Sequence, residues 1–586
     1  MPSWLSALDR HFPIRYLTLL LCAVFALLGL FAWVGFGELA WMALLGLFGL
    51  ATGVHDLRQN RRAVLRNYPV IGHLRYLLEW IRPEIRQYFI ESERETIPFS
   101  RQQRSLVYQR SKGESDKRPF GTQLDVGAAG YEWINHSLQP TALPSHDFRV
   151  DIGGERCAQP YSASLFNISA MSFGALSANA ILALNGGARR GGFAHDTGEG
   201  SISEHHRVHG GDLIWEIGSG YFGCRNADGT FDEELFERNA RDPQVRMVEL
   251  KLSQGAKPGH GGVLPGPKVT PEIAAARGVP VGVDCISPAA HSAFDTPLQM
   301  LKFLDRLRTL SGGKPVGFKL CIGHPWEWFA IVKAMLECDL LPDFIVVDGA
   351  EGGTGAAPLE FTDHVGSPLQ EGLRLVHNTL VGVGLRDRIR IGCAGKVISA
   401  FDIARAMALG ADWCNAARGF MFALGCIQAQ HCHTGHCPTG VTTQDPLRQK
   451  ALVVPDKIER VRRFHQYTLE ALKELVQAAG LTHPNQITPA HIVRRTSDHS
   501  VRLLSRLLPT LQRGELLAAE RGEVAWPHQV FALYWPIASS ASFQAGPVAA
   551  QMLDKRVMPN PSPNDGSAAG SSGRLHAADP EATRSA

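Results

Sequence analysis

Hydrophobic positions first cluster near the amino terminus. Tyr16 to Val34 is an apolar run, and a second, Leu39 to Val54, follows Gly35-Phe-Gly-Glu38. Glu38 is the only charged residue between Arg15 and Asp56. A bilayer core takes about 20 apolar residues as helix, with about 17 as the lower bound, so the pattern predicts a two-helix membrane hairpin over residues 1–55. Arg10 and Arg15 precede it, Arg58, Arg61, Arg62 and Arg66 follow it, and the connection has no Lys or Arg. The positive-inside rule then places both ends in the cytoplasm, anchored in the inner membrane with the rest of the chain facing the cytoplasm. A cleaved signal peptide is the alternative; the second apolar run and the lack of a small-x-small cleavage site weigh against it.

Between Ser162 and Ala417 the pattern changes to short apolar runs alternating with longer amphipathic stretches. The predicted strands are Leu165–Met171, Phe193–Thr197, Arg246–Leu252, Val279–Cys285, Pro315–Leu320, Asp343–Asp348, Arg388–Cys393 and Asp412–Ala416. Helical periodicity lies between several of them, at Thr296–Leu310, Trp326–Glu337 and Ala400–Leu409. Eight strands alternating with helices imply an α/β fold, a parallel (β/α)8 TIM barrel. A doubly wound sheet is the alternative, but no Gly-x-Gly-x-x-Gly joins the first strand to its helix. The implied organisation is a hairpin (1–55), a lead-in (56–150), a barrel region (151–500), an extension (501–553) and a disordered tail (554–586). From Pro559 onward the tail is mostly Pro, Ser, Gly and Ala without aromatics, too poor in apolar surface to fold.

Composition adds little to this picture. At 586 residues the chain fits one large domain with appendages. A formal net charge of +3 gives no support for a nucleic-acid partner, and eleven cysteines in such a length are no disulfide scaffold. Three of them matter. Cys426, Cys432 and Cys437 lie in Gly425-Cys-Ile-Gln-Ala-Gln-His-Cys-His-Thr-Gly-His-Cys-Pro438, with five and then four residues between them. They can converge on an iron–sulfur cluster lacking one iron corner; zinc, helped by the interleaved His431, His433 and His436, and buried structural thiols are the other readings. At the carboxyl ends of the sixth and seventh predicted strands stand Asp348-Gly-Ala-Glu-Gly-Gly-Thr-Gly and Gly392-Cys-Ala-Gly-Lys396. Two glycine sets there point to a phosphate-bearing cofactor, because backbone N–H groups can approach an anion closely.

Long ordered strings carry a more specific signal. They are Glu249-Leu-Lys-Leu-Ser-Gln-Gly-Ala-Lys-Pro-Gly-His-Gly-Gly-Val-Leu-Pro-Gly-Pro-Lys268, Ile273-Ala-Ala-Ala-Arg277, Ile286-Ser-Pro288, Asp348 to Pro358, and Thr443-Gln-Asp-Pro446. From about Ser162 to Arg448 the chain resembles the FMN-binding synthase domain of glutamate synthase, whose three-cysteine segment holds a 3Fe-4S cluster. The stretch from Asn67-Tyr-Pro-Val-Ile-Gly to Pro119-Phe-Gly-Thr-Gln resembles the shorter, membrane-anchored members of that family. The resemblance implies FMN contacts at Ser172, Lys319, Gly352, Gly353, Thr354, Gly395 and Lys396, and cluster ligation by Cys426, Cys432 and Cys437. It implies 2-oxoglutarate binding by Lys251, Lys257 and Arg277, with Glu199 and Lys257 handling protons and His291 a further candidate.

The implied reaction is condensation of ammonia with 2-oxoglutarate to 2-iminoglutarate, reduced by FMN to L-glutamate, with electrons arriving through the cluster. The chain opens on Met-Pro-Ser and the hairpin rather than on a glutamine amidotransferase domain, so the expected nitrogen source is ammonia or another amine. No nicotinamide fingerprint is visible, so the expected donor is a ferredoxin, a flavoprotein subunit or a membrane donor. Two departures bear on the substrate. His195-Asp-Thr-Gly-Glu-Gly stands where the family commonly has Ser-Asn-Thr-Gly-Glu-Gly, and Tyr221 stands where members often have Arg. Alternatives are an oxidoreductase of another amine or keto acid, such as an N-alkylglutamate-forming enzyme, a membrane-tethered electron-transfer protein without turnover, and a hydroxy-acid oxidase type of barrel.

Overall fold

Small residues set the geometry of the amino-terminal helices, α1 (Leu17–Phe36) and α2 (Ala40–Arg58). A Cβ added to Gly29 would lie 2.3 Å from the Ala43 nitrogen, and one on Gly46 would lie 2.3 Å from that of Ala26. Only glycine permits this approach, and the turn closes through Gly37 at φ 71°. Both helices are long and apolar enough to cross a membrane. After a short helix, Ala63–Asn67, comes α3 (Gly72–Ile85), which continues as a π-helical segment, Arg86–Ile90. The computed structural model describes residues 13–59, 62–91, 98–355 and 357–546. Arg10, Arg61 and the predicted tail from 554 lie outside the described residues. The chain divides into two compact units, Met1–Gln102, which holds these helices, and Gln103–Ala586.

The second unit is built on a closed barrel of eight parallel strands: β1 (Phe166–Ile168), β2 (His195–Asp196), β3 (Leu213–Ile217), β4 (Val245–Lys251), β5 (Val316–Leu320), β6 (Phe344–Asp348), β7 (Arg390–Ala394) and β8 (Trp413–Ala416). Strand β8 closes on β1 through the pairs Cys414 with Phe166 and Ala416 with Ile168. The strands are buried on both faces, as parallel strands covered by helices must be. Local chemistry starts the helices. Ser177 caps Ala178–Gly191, Thr296 followed by Pro297 caps Pro297–Leu310, and Ser399 with Asp402 forms a capping box for Ala400–Ala408.

Seven of the eight predicted strands are barrel strands, and one is not. Val279–Cys285 contributes only its last residue to a two-residue strand, Cys285–Ile286, paired antiparallel with Val263–Leu264. Pro280 removes a ladder donor and Gly282 sits at φ 74°, so this run cannot continue a parallel sheet. The third barrel strand is instead Leu213–Ile217. The error and the omission cancel in the count, which leaves β6, β7 and β8 where the pattern puts them.

Around the barrel, the long helix Val454–Ala478 buries Ile458 and Val461 against Ala178–Gly191 and Phe464 against Phe166 and Phe420. Phe166, Phe193, Phe420 and His465 form an aromatic stack beneath it. Glu132–Ile134 pairs with Ile492–Ser497, which pairs with Ser500–Leu503, so segments before and after the barrel share one sheet. Phe531 and Trp535 pack on Phe329 of the helix Pro325–Cys338.

Candidate active site

Charged side chains converge at the carboxyl ends of β2 to β5. Lys251 ends β4, and its Nζ lies 2.7 Å from Glu199 Oε2 in the loop after β2. Gly218 and Gly262 flank that carboxylate; a Cβ on either would meet it, at 2.8 Å and 2.3 Å. Burial is the largest influence on Glu199 and favours the neutral acid, but Lys251, Arg277 and Lys257 together outweigh it and hold the carboxyl below its usual range. Lys257, 3% exposed, donates to the Gly261 carbonyl at 2.9 Å. Burial lowers its affinity for a proton, only partly offset by Glu199. Arg277 is also buried; its Nη2 donates to the Phe173 carbonyl at 3.0 Å and its guanidinium lies over the Phe222 ring, while its Nε has no partner among the described residues. Ser172 abuts the same loop, against Gly198 and Gly200.

His291 and Tyr221 support Lys251 from behind. His291 Nε2 lies 2.8 Å from the Lys251 carbonyl, which can only accept, so that nitrogen carries the hydrogen. Nδ1 is then the acceptor for the Tyr221 hydroxyl at 3.1 Å, and that hydroxyl accepts from the Ala293 amide. Burial pushes the His291 pKa down to about 4, so this neutral tautomer holds at neutral pH.

Next to Lys251, in register on β5, stands Lys319. Its Nζ lies 2.5 Å from Glu216 Oε2 and 3.7 Å from Glu249 Oε1. The carboxylates of Asp196, Glu216 and Glu249 all lie within 4.8 Å of one another, fully buried. Such a set resembles a cation site, and the Lys319 ammonium takes the cation's place. Both oxygens of Glu249 and Oδ2 of Asp196 lack hydrogen-bond partners among the described residues. Burial, then neighbouring carboxylates, raises Glu249 well above the usual range and Asp196 to about 8. Burial works against charge on Lys319 too, but Glu216 and Glu249 prevail and its pKa is raised.

The loops after β4, β6, β7 and β8 meet beyond this pair. The Gly255 amide donates to Asp348 Oδ2 at 2.9 Å, tying the Lys257 loop to the end of β6. A Cβ on Gly353 would lie 3.0 Å from Arg418 Nη2, at the start of the helix after β8. Two residues on, a Cβ on Gly355 would lie 3.3 Å from Cys432 Cβ. The segment Gly352-Gly353-Thr354-Gly355 therefore runs from a guanidinium to the three-cysteine loop. Gly395 packs on Leu369, and Lys396 takes a left-handed φ of 52° after β7.

Cys437 is buried, and Cys426 and Cys432 are half-buried. Burial raises the Cys426 thiol to about 11. Burial also acts on Cys437, but hydrogen bonds from Thr439 and Thr442 outweigh it and favour the thiolate. Lys268 donates to the Cys432 carbonyl at 2.8 Å.

The structure thus brings Glu199, Lys251, Lys257, Arg277 and Ser172 to one mouth, sets Lys319 beside them, and gathers the glycine segment with the cysteines at its rim. Sequence reasoning missed Asp196, Glu216, Glu249 and Arg418. Isolated acids in short apolar strands carry no spacing signal, and one Arg at a helix start reads as surface.

A closed parallel barrel with its buried charges at the strand carboxyl ends defines a (β/α)8-barrel protein with its site in the usual place for that class. The model for the conserved region in glutamate synthase matches residues 144–482, more than half of the chain. The glutamate synthase large subunit-like protein YerD of Bacillus subtilis is 39% identical over 495 residues, 78% of this chain and 94% of that one. The chain belongs to the glutamate synthase family. An archaeal glutamate synthase (NADPH) of Methanocaldococcus jannaschii is 36% identical over 54% of this chain and 58% of its own length. The glutamate synthase (NADPH) large chain of Bacillus subtilis is 34% identical over 54% of this chain and 20% of its own. The chain thus spans most of the first, a little over half of the second and a fifth of the third. A flavocytochrome b2 structure is similar at 11% identity and TM-score 0.38, covering 72% of this chain and 85% of that one, too remote to add to the barrel seen directly.

Proposed function

We propose that this chain is an FMN- and iron–sulfur-dependent oxidoreductase that reductively aminates 2-oxoglutarate to L-glutamate through 2-iminoglutarate. The observation that carries it is the mouth itself, where Lys251, Lys257 and Arg277 surround one carboxylate, Glu199, beside the buried cation Lys319. Three cations suit a dianionic keto acid, and a guanidinium can hold a carboxylate through two bonds.

The residues fit FMN. Lys319 offers a buried cation for the pyrimidine edge of the ring, and Ser172 follows β1, across the barrel from β5. Gly353 lies against Arg418 between Gly352 and Thr354, with Gly395 and Lys396 on the next loop, a donor set suited to a phosphate. Cys426, Cys432 and Cys437, with five and then four residues between them, suit a 3Fe-4S cluster. Bound there, FMN would supply a hydride to the imine carbon while the cluster would relay single electrons from an external donor such as a ferredoxin or reductase subunit.

The chain's own residues do the rest. Lys251 and Arg277 bind carboxylates and fix the imine carbon. Glu199, held ionised, accepts a hydrogen bond from the imine or product nitrogen and fixes its orientation. Lys257, whose burial weakens its hold on a proton, is the group suited to deliver one to that nitrogen. Nitrogen enters as ammonia or another amine. Helices α1 and α2 support an inner-membrane anchor, with the barrel on the cytoplasmic side.

A second reading keeps the barrel and both cofactors and changes the acceptor to another keto acid or amine. Tyr221 favours it, because a neutral phenol bonded to His291 stands where family members often carry an arginine. The test is anaerobic reduction of the purified protein, then addition of 2-oxoglutarate with ammonium, following flavin absorbance and glutamate. Reoxidation with glutamate formed supports the first reading. Reoxidation by another acid or amine alone supports the second, and an inert reduced flavin overturns both.

A further inference from the structure

Helix α3 is the part of the first unit that neither the barrel chemistry nor a membrane hairpin explains. At 14 residues it spans ~21 Å, too short for a bilayer core of ~30 Å. It also carries Arg75, Glu79, Arg82 and Glu84, so it is no third span. Yet Leu74, Leu77, Leu78, Ile81 and Ile85 fall on one face at helical spacing, and the three leucines are 50%, 52% and 51% exposed. Trp80 and, in the segment that follows, Phe89 and Ile90 are more exposed still, at 75%, 85% and 68%.

What this face meets is indicated by where α3 is tied. Asp56, in the last turn of α2, is fully buried; both its oxygens lie within 3.0 Å of His73 Nε2, and it accepts from the Val70 amide at 3.0 Å. Thr18, in the first turn of α1, donates to the Pro69 carbonyl at 2.9 Å. Loop and helix are thus fastened to the end of the hairpin at which both apolar helices stop. Arg15, Arg58, Arg62 and Arg66 lie at that same end, and Arg62 stacks on Tyr76 of α3. An apolar stripe with Arg75, Arg82 and Trp80 towards its sides, and attachment where two apolar helices end, are the features of a helix lying in the lipid headgroup region.

We infer that α3 and the segment Arg86–Ile90 lie in the membrane interface, with Leu74, Leu77, Leu78 and Phe89 in the acyl boundary and Arg75, Arg82 and Arg86 among anionic headgroups. The inference rests on the anchor reading of α1 and α2, and the experiment separates the two. The full chain is reconstituted into vesicles of phosphatidylcholine with or without phosphatidylglycerol, using acyl chains brominated near the headgroup. Flotation with the vesicles reports on α1 and α2; the fluorescence difference between the wild-type chain and Trp80→Phe reports on α3. The expected result is flotation with the Trp80 component quenched, more so with phosphatidylglycerol. In the double variant Leu77→Glu with Leu78→Glu, quenching is lost while flotation and the barrel's thermal transition persist. Failure to float removes the anchor reading. Flotation with an unquenched Trp80 overturns the inference and leaves the anchor standing, as does a Trp80 shielded from aqueous quenchers in detergent-solubilised dimers, which would assign the face to a second copy.

Discussion

Lys319 Nζ lies 2.5 Å from Glu216 Oε2, deep in the barrel and beneath the mouth formed by Lys251 and Glu199. Each charge is affordable there only because of the other. Removing one partner of such a buried pair leaves an uncompensated charge and costs ~3–5 kcal/mol, whereas replacing both is often near neutral. Lys319→Met is therefore expected to lower the denaturant midpoint sharply, and Lys319→Met with Glu216→Gln to recover much of the loss. A single variant as stable as the parent would show that the pair is not ionised.

Asp196 gives stability a pH dependence of unusual sign. Its carboxyl titrates at about 8 in the fold, raised by burial and then by Glu216, against ~3.9 in an unfolded chain. The folded state binds that proton more tightly. The contribution is therefore fully present below about pH 4 and is lost as pH rises toward 8. Asp196→Asn, which is neutral throughout, is expected to flatten the fall in unfolding free energy between those limits. Parallel urea titrations of both proteins across that range measure it, and parallel pH curves would count against a raised Asp196 carboxyl.

The same cluster explains which parts of the fold were legible in the sequence. Strand β3, Leu-Ile-Trp-Glu-Ile, escaped because Glu216 interrupts its apolar run, and Glu216 is there to meet Lys319. Val279 to Cys285 reads as a strand because its valines alternate, but Pro280 and Gly282 bar it from a parallel ladder. The ordered strings around Lys251, Lys257 and Gly352 were legible because their types and spacing are specific. Asp196, Glu249 and Arg418 were not, since their meaning depends on neighbours brought together only by barrel closure. The stripe on α3 shows the same limit: its periodicity is plain in the chain, but its significance comes from the Asp56–His73 tie.

At the mouth, Lys251 and Arg277 are expected to act on substrate affinity more than on turnover. If the proposed function holds, Lys251→Gln removes a charge that binds the keto acid in ground and transition states alike, so KM for 2-oxoglutarate should rise at least ~tenfold with kcat less changed. Arg277→Lys should be nearly as damaging, because an ammonium cannot both stack on Phe222 and reach the Phe173 carbonyl. Steady-state kinetics with an artificial donor distinguishes the outcomes. An unaltered KM in both variants would move the acceptor site elsewhere.

Cys432 tests the link between the cysteine loop and the glycine segment. A Cβ on Gly355 would lie 3.3 Å from the Cys432 Cβ, and Gly355 is two residues beyond Gly353, which lies against Arg418. Cys432→Ser is expected to abolish the low-temperature spin-resonance signal of an oxidised three-iron cluster, while bound FMN and the barrel's thermal transition are retained. Cys426→Ser and Cys437→Ser should give the same result, since three thiolates are the minimum for that cluster. Gly355→Val places a branched side chain against Cys432 and should weaken the signal without removing a ligand. Zinc in place of iron, found by elemental analysis of protein prepared without oxygen, would refute the assignment.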